Sequence, residues 1–215
     1  MKMVRKGAAL VAAMLLLAGC SAKTPNYPVM EPMDASGLTL ETAQDSSVKV
    51  SYPADTWTDV EMEPLTLFYT ATMGSEGQAC NVNVTPVAPA SGDLTDADRE
   101  YILSSLGQDA EYITVGVSEM RLLYNKPVIY NETTMQFTDE TIDLMLDSGT
   151  LTEEQIEAIG GREVLLAIPP TNQVCLVAVA DNYIYAYIGT YHGEEQKDVM
   201  LDLMTLLVAN TEQVR

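Results

Sequence analysis

Histidine is almost absent from this chain, with His192 the only one in 215 residues. A Ser–His–Asp hydrolase would have to use it, and no Gly-x-Ser-x-Gly elbow accompanies it. The stretch Gly116-Val117-Ser118-Glu119-Met120 departs from that pattern at its last position. A zinc centre needs several histidine or cysteine ligands, and the three cysteines, Cys20, Cys80 and Cys175, are far apart in sequence. Neither a phosphate-cradling glycine loop nor a calcium loop of EF-hand spacing occurs. No cofactor or metal is therefore expected. Cations are scarce as well, with 11 lysines and arginines against 31 acids. Such an anionic surface disfavours nucleic acid and anionic lipid headgroups. It suits a soluble domain beside a membrane, or a basic partner.

The N-terminus has a distinct pattern. Lys2, Arg5 and Lys6 precede residues 7–19, which are apolar or small throughout. This is the charged and apolar order of an export signal. Those 13 residues are too few for a spanning helix, which needs roughly 20. The run ends in Leu17-Ala18-Gly19-Cys20, which resembles the lipobox of bacterial lipoproteins. The resemblance implies cleavage after residue 19 and diacylglycerol and palmitate chains on Cys20. Two or more buried chains anchor stably where one is marginal. The expected protein is exported and held to the membrane on its extracytoplasmic side through Cys20. Eight cations and all 31 acids lie beyond residue 20, leaving a net charge of −23.

Residues 20–46 read as the lipidated cysteine and a flexible tether, with prolines at 25, 28 and 32. Residues 47–215 have the length of one domain with its own core. Within it "VKVSYP", "LTLFYTATM", "CNVNVTPV", "YITVGV", "MRLLYNKPVIYNETTMQF", "REVLLAI", "QVCLVAVA" and "YIYAYIGTY" carry strand patterns. Asp181-Asn182 offers a two-residue hairpin turn. Helices are expected after Thr95, with Asp98 completing a capping box, after Thr138, and after Thr152, with Gln155 in the same role. The second and third form a helical insertion near 138–161. A final amphipathic helix spans 194–209. The acid pairs Asp96/Asp98 and Glu153/Glu154 suit helix starts through the dipole. His192 reads as the turn before the last helix.

Strands outnumber helices and several are apolar on both faces. This implies an α+β fold, a mainly antiparallel β-sheet flanked by helices. The early "YPADTW" turn, the "NVNV" strand followed by a helix, the paired strands and the C-terminal helix together resemble the PsbP/DcrB-like α–β–α sandwich. That resemblance implies a non-catalytic module that binds partners or assists membrane complexes.

Three sets of residues are singled out beyond Cys20. Asn81 and Asn83 alternate with valines, so both amides face one side of a strand. Tyr183, Tyr185 and Tyr187 share a face, as a partner-binding patch or as packing beneath a helix. Cys80 and Cys175 admit two readings, a disulfide of an exported domain or two buried thiols. The expected partner is an envelope protein or a small ligand. The competing class is an envelope hydrolase with carboxylates converging on a cleft.

Overall fold

The alternating stretches form ten strands, and the capped stretches form helices, among the residues described by the computed structural model: 26–62, 65–73 and 79–214. Cys20 and the signal-like residues before it lie outside the described residues. The strands are β1 (Leu40–Gln44), β2 (Val48–Pro53), β3 (Trp57–Met62), β4 (Leu65–Met73), β5 (Ala79–Pro89), β6 (Thr114–Leu123), β7 (Lys126–Met135), β8 (Thr171–Ala180), β9 (Tyr183–Tyr191) and β10 (Glu212–Gln213). The helices are α1 (Asp96–Ser105), α2 (Asp139–Asp147), α3 (Glu153–Ile159), α4 (Arg162–Leu166) and α5 (Glu194–Asn210).

A seven-stranded antiparallel sheet runs in the order β3-β4-β5-β9-β8-β7-β6, and β1, β2 and β10 form a second, three-stranded sheet. The expected α+β class is the observed one. The tight hairpins follow from local chemistry. Tyr124-Asn125 and Asp181-Asn182 hold positive φ at both central residues, 51° and 60°, 44° and 63°. This is the two-residue turn whose twist matches the flanking strands. Helix starts are equally local. Thr95 N donates to Asp98 Oδ2 at 2.8 Å, and Gln155 N donates to Thr152 Oγ1 at 3.2 Å. Each bond satisfies a backbone donor at a helix start.

The large sheet is apolar on both faces, but unequally covered. Val82, Val84, Tyr185, Tyr187, Val174, Leu176 and Tyr130 project to one face, where Met200, Leu203, Met204 and Leu207 of α5 seal them. Val48, Val50 and Tyr52 of the small sheet join the same core. Gly189 permits this approach, since a Cβ there would collide with the Met200 side chain. The opposite face carries Met120, Ile129, Cys175, Val177 and Ala186 under Ile102 and Leu103 of α1. A separate small core, Ile142, Ile156 and Leu165, holds α2, α3 and α4 together.

Two expectations are corrected here. The stretch "REVLLAI" is not a strand, because its first five residues form α4. Leu165 is buried while Val164 and Leu166 are exposed, so one apolar side chain packs per turn, and the short run matched either period. The insertion therefore extends past 161. The tether expected over 20–46 is also too long. Met30 N donates to Leu122 O at 2.8 Å and Leu122 N donates to Pro28 O at 2.7 Å, a parallel bridge onto β6. Met30 is buried in the α5 core, and Leu40–Gln44 pairs with β2 as β1. Prolines at 28 and 32 suggested a free linker, but proline is compatible with a sheet edge.

Candidate functional site

The expected tyrosine patch is absent. Tyr185 and Tyr187 are fully buried, with Tyr183 packed against the same core. β9 lies between β5 and β8, so the tyrosine face of this central strand is where α5 docks. Tyr187 donates to Thr211 Oγ1 at 2.9 Å in the interior. The Tyr185 hydroxyl is buried without a hydrogen-bond partner. The redox pair is also resolved against a bridge. Cys80 and Cys175 are free and buried, and they belong to cores on opposite faces of the sheet. Burial pushes the Cys80 thiol up to about 11 and the Cys175 thiol up to about 12. Neither is a nucleophile near neutral pH.

Asn81 and Asn83 project to the α1 face and are half-buried. Strand register extends them into a polar row. Asn81 pairs with Thr190 on β9, Thr190 with Gln173 on β8, and Gln173 with Thr133 on β7. Gln173 Nε2 donates to Thr190 Oγ1 at 3.4 Å, and Thr85 Oγ1 donates to Asn83 Oδ1 at 3.4 Å. Asn81, Asn83, Gln173 and Thr190 all remain half-buried although they lie on interior strands. The other face of the same strands is sealed. The row ends at a cleft of about 370 Å³ between α1 and the β6–β7 edge. Leu103, Arg99 and Glu100 form one wall, Val115 and Ser118 the other, with Gln108, Asp109 and Asn131 completing the lining. Asn131 Nδ2 donates to Gln108 Oε1 at 3.4 Å, and both amides are buried. Arg99 Nη1 donates to Ser118 O at 3.1 Å.

A second polar constellation lies on the α5 side, and the sequence pattern did not single it out. Glu132 on β7 accepts from Lys197 Nζ at 2.6 Å, Tyr191 OH at 2.9 Å and Tyr130 OH at 3.0 Å. Burial alone would raise this carboxyl. The bonds from Lys197, Tyr191 and Tyr130 outweigh it and hold the carboxyl below its ordinary value. The Arg121 guanidinium lies 3.6 Å from the Tyr130 ring centre and bonds Glu119 at 2.8 Å. The residues come from β6, β7, β9 and α5, so only the folded register unites them. Glu132 stays ionised and fully engaged, which makes it a staple between sheet and helix and a poor general acid. Among the described residues, no three His, Cys, Asp or Glu side chains are placed to hold a metal ion. Nor does any described helix have the length and apolarity to cross a membrane.

No family model matches the chain, and no curated protein matches it in sequence. Solved structures do. The Ran-binding protein Mog1p of Saccharomyces cerevisiae matches at a TM-score of 0.45 and 5% identity, over 82% of this chain and 96% of that one. LpqN, involved in cell envelope biogenesis of Mycobacterium tuberculosis, matches at 0.43 and 9%, over 89% and 99%. Cyanobacterial PsbP from Synechocystis, of the family resembled in sequence, matches at 0.41 and 11%, over 86% and 99%. With identities this low and TM-scores below 0.5, these likenesses assign the chain neither a partner nor an activity.

Proposed function

We propose that this chain is a membrane-tethered lipoprotein of the cell envelope, a non-catalytic binding or assembly module. Its partner is met on the α1 face of the large sheet. The observation that carries this reading is the unequal cover of the two faces. Helix α5 seals one of them, while Asn81, Asn83, Gln173 and Thr190 stay half-buried across three interior strands of the other. Amides and hydroxyls there present both donors and acceptors to a ligand, and carry no charge. The leucine-to-cysteine stretch ending at Cys20 supports the tether. A PsbP/DcrB-like element order is part of the same reading.

Photo-crosslinking tests it. A photoreactive residue at position 83 in the full-length protein, in native membranes, captures one discrete partner. The same residue at position 199, exposed on α5, does not. Equal capture from both positions contradicts the reading. Cys20→Ala tests the anchor, since it leaves uncleaved precursor or releases the protein into the soluble fraction. Unchanged lipid labelling of that variant overturns the lipidation.

A further inference from the structure

The edges of the two sheets are not alike. β3 carries Asp59, and β1 carries Glu41. Charges of this kind discourage strand addition. β6 has two halves. Its C-terminal half carries Glu119 and Arg121 and is paired at Leu122 with the N-terminal segment. Its N-terminal half, Thr114-Val115-Gly116-Val117-Ser118, has no charge at all, and every one of these residues is exposed. Val115 is 46% exposed and Val117 36%.

Among the described residues no main-chain bond closes the outward side of that half, although Arg99 holds the Ser118 carbonyl. Leu122 directs both its N–H and its carbonyl away from β7, toward Pro28 and Met30. The antiparallel alternation directs Met120 and Ser118 outward in the same way. Pro28 has no N–H, so the parallel pairing cannot continue to Met120. The bond from Arg99 to the Ser118 carbonyl agrees with that outward direction. A bulge between Val115 and Val117 keeps Val115 and Ser118 on the α1 face. Both side chains line the cleft floored by Gln108 and Asn131.

An uncharged open edge and a cleft beside it are the two parts of strand-addition recognition. Main-chain bonds give affinity there, and pockets for alternate side chains give selectivity. We propose that the free half of β6 receives an extended segment of a partner protein, which adds to the sheet and places a basic side chain in the cleft. The charge argument is local. Glu100 and Asp109 line the cleft and Glu111 lies three residues before the strand, against Arg99, which is engaged at Ser118. This rests on the reading of the α1 face as the binding face, and names its partner as extended polypeptide.

The test uses a phage-displayed random dodecapeptide library selected on the purified protein, with the selected peptides then synthesised. They should alternate β-branched residues with lysine or arginine. Val117→Lys, which charges the edge, and Ser118→Pro, which removes an outward N–H, should each weaken binding about tenfold or more. Val199→Lys, on the exposed side of α5, should leave peptide affinity within about twofold. Failure to select any peptide, or affinities unmoved by Val117→Lys, overturns strand addition. Peptide binding lost in the Asn81→Ala, Asn83→Ala variant but unmoved by Val117→Lys overturns it too, yet leaves the α1-face reading standing. If Ser118→Pro does not fold, Val117→Lys alone decides.

Discussion

Replacing Glu132 with glutamine removes one charge and changes almost no volume. Three donors converge on this carboxylate, from Lys197, Tyr191 and Tyr130. A hydrogen bond to a charged group contributes about 1.5–3 kcal/mol. Glutamine keeps one carbonyl acceptor but turns its amide N–H₂ toward donors. The site is also reached by water, with the Glu132 and Lys197 side chains 22% and 20% exposed. The net loss is therefore about 2 kcal/mol, less than for a fully buried pair broken on one side. For a domain of this size it lowers Tm by about 4–8 °C at neutral pH. The pH dependence separates the charge from packing. The folded carboxyl is held below its ordinary value, so its contribution is complete above the unfolded glutamate value of about 4.3 and disappears as pH falls through the folded value. Thermal unfolding of both proteins from about pH 7 to about pH 3 should show the gap closing on the acid side. A gap that is absent at neutral pH, or constant throughout, refutes the staple.

Other variants read the two cores. Tyr185→Phe removes a buried hydroxyl that has no partner, so urea unfolding should show it neutral or up to about 1 kcal/mol more stable. Tyr185→Ala should cost about 3–5 kcal/mol, as for other large aromatic truncations. Gly189→Ala should destabilise by about 1–3 kcal/mol by pushing Met200 off the sheet, measured the same way. Cys80 and Cys175 should both resist alkylation in the native protein and both react once it is unfolded. Unfolding midpoints should be equal with and without reductant.

Most of the fold was legible because its signals are local. Strand alternation, the Thr95 and Thr152 capping boxes and the Asp181-Asn182 turn need only neighbours in sequence. What failed depended on tertiary context. "REVLLAI" is too short for its period to separate helix from strand. The tyrosine period on β9 correctly placed the rings on one side, but could not say that α5 covers it. The asparagine alternation on β5 was legible for the same reason. Its extension through Thr190 and Gln173 required the strand order, in which β9 returns to lie beside β5 across about 100 residues of chain. Glu132 gave no signal, because its donors come from residues 130, 191 and 197.

The central claim is that the half-buried polar row of the α1 face binds the partner of a tethered module. The affinity of the partner crosslinked at position 83, compared between wild-type protein and the Asn81→Ala, Asn83→Ala variant, tests it most directly. The account predicts a loss of about 2 kcal/mol, roughly 30-fold in Kd, with Tm changed by no more than about 2 °C. Unchanged affinity in a folded variant would contradict it.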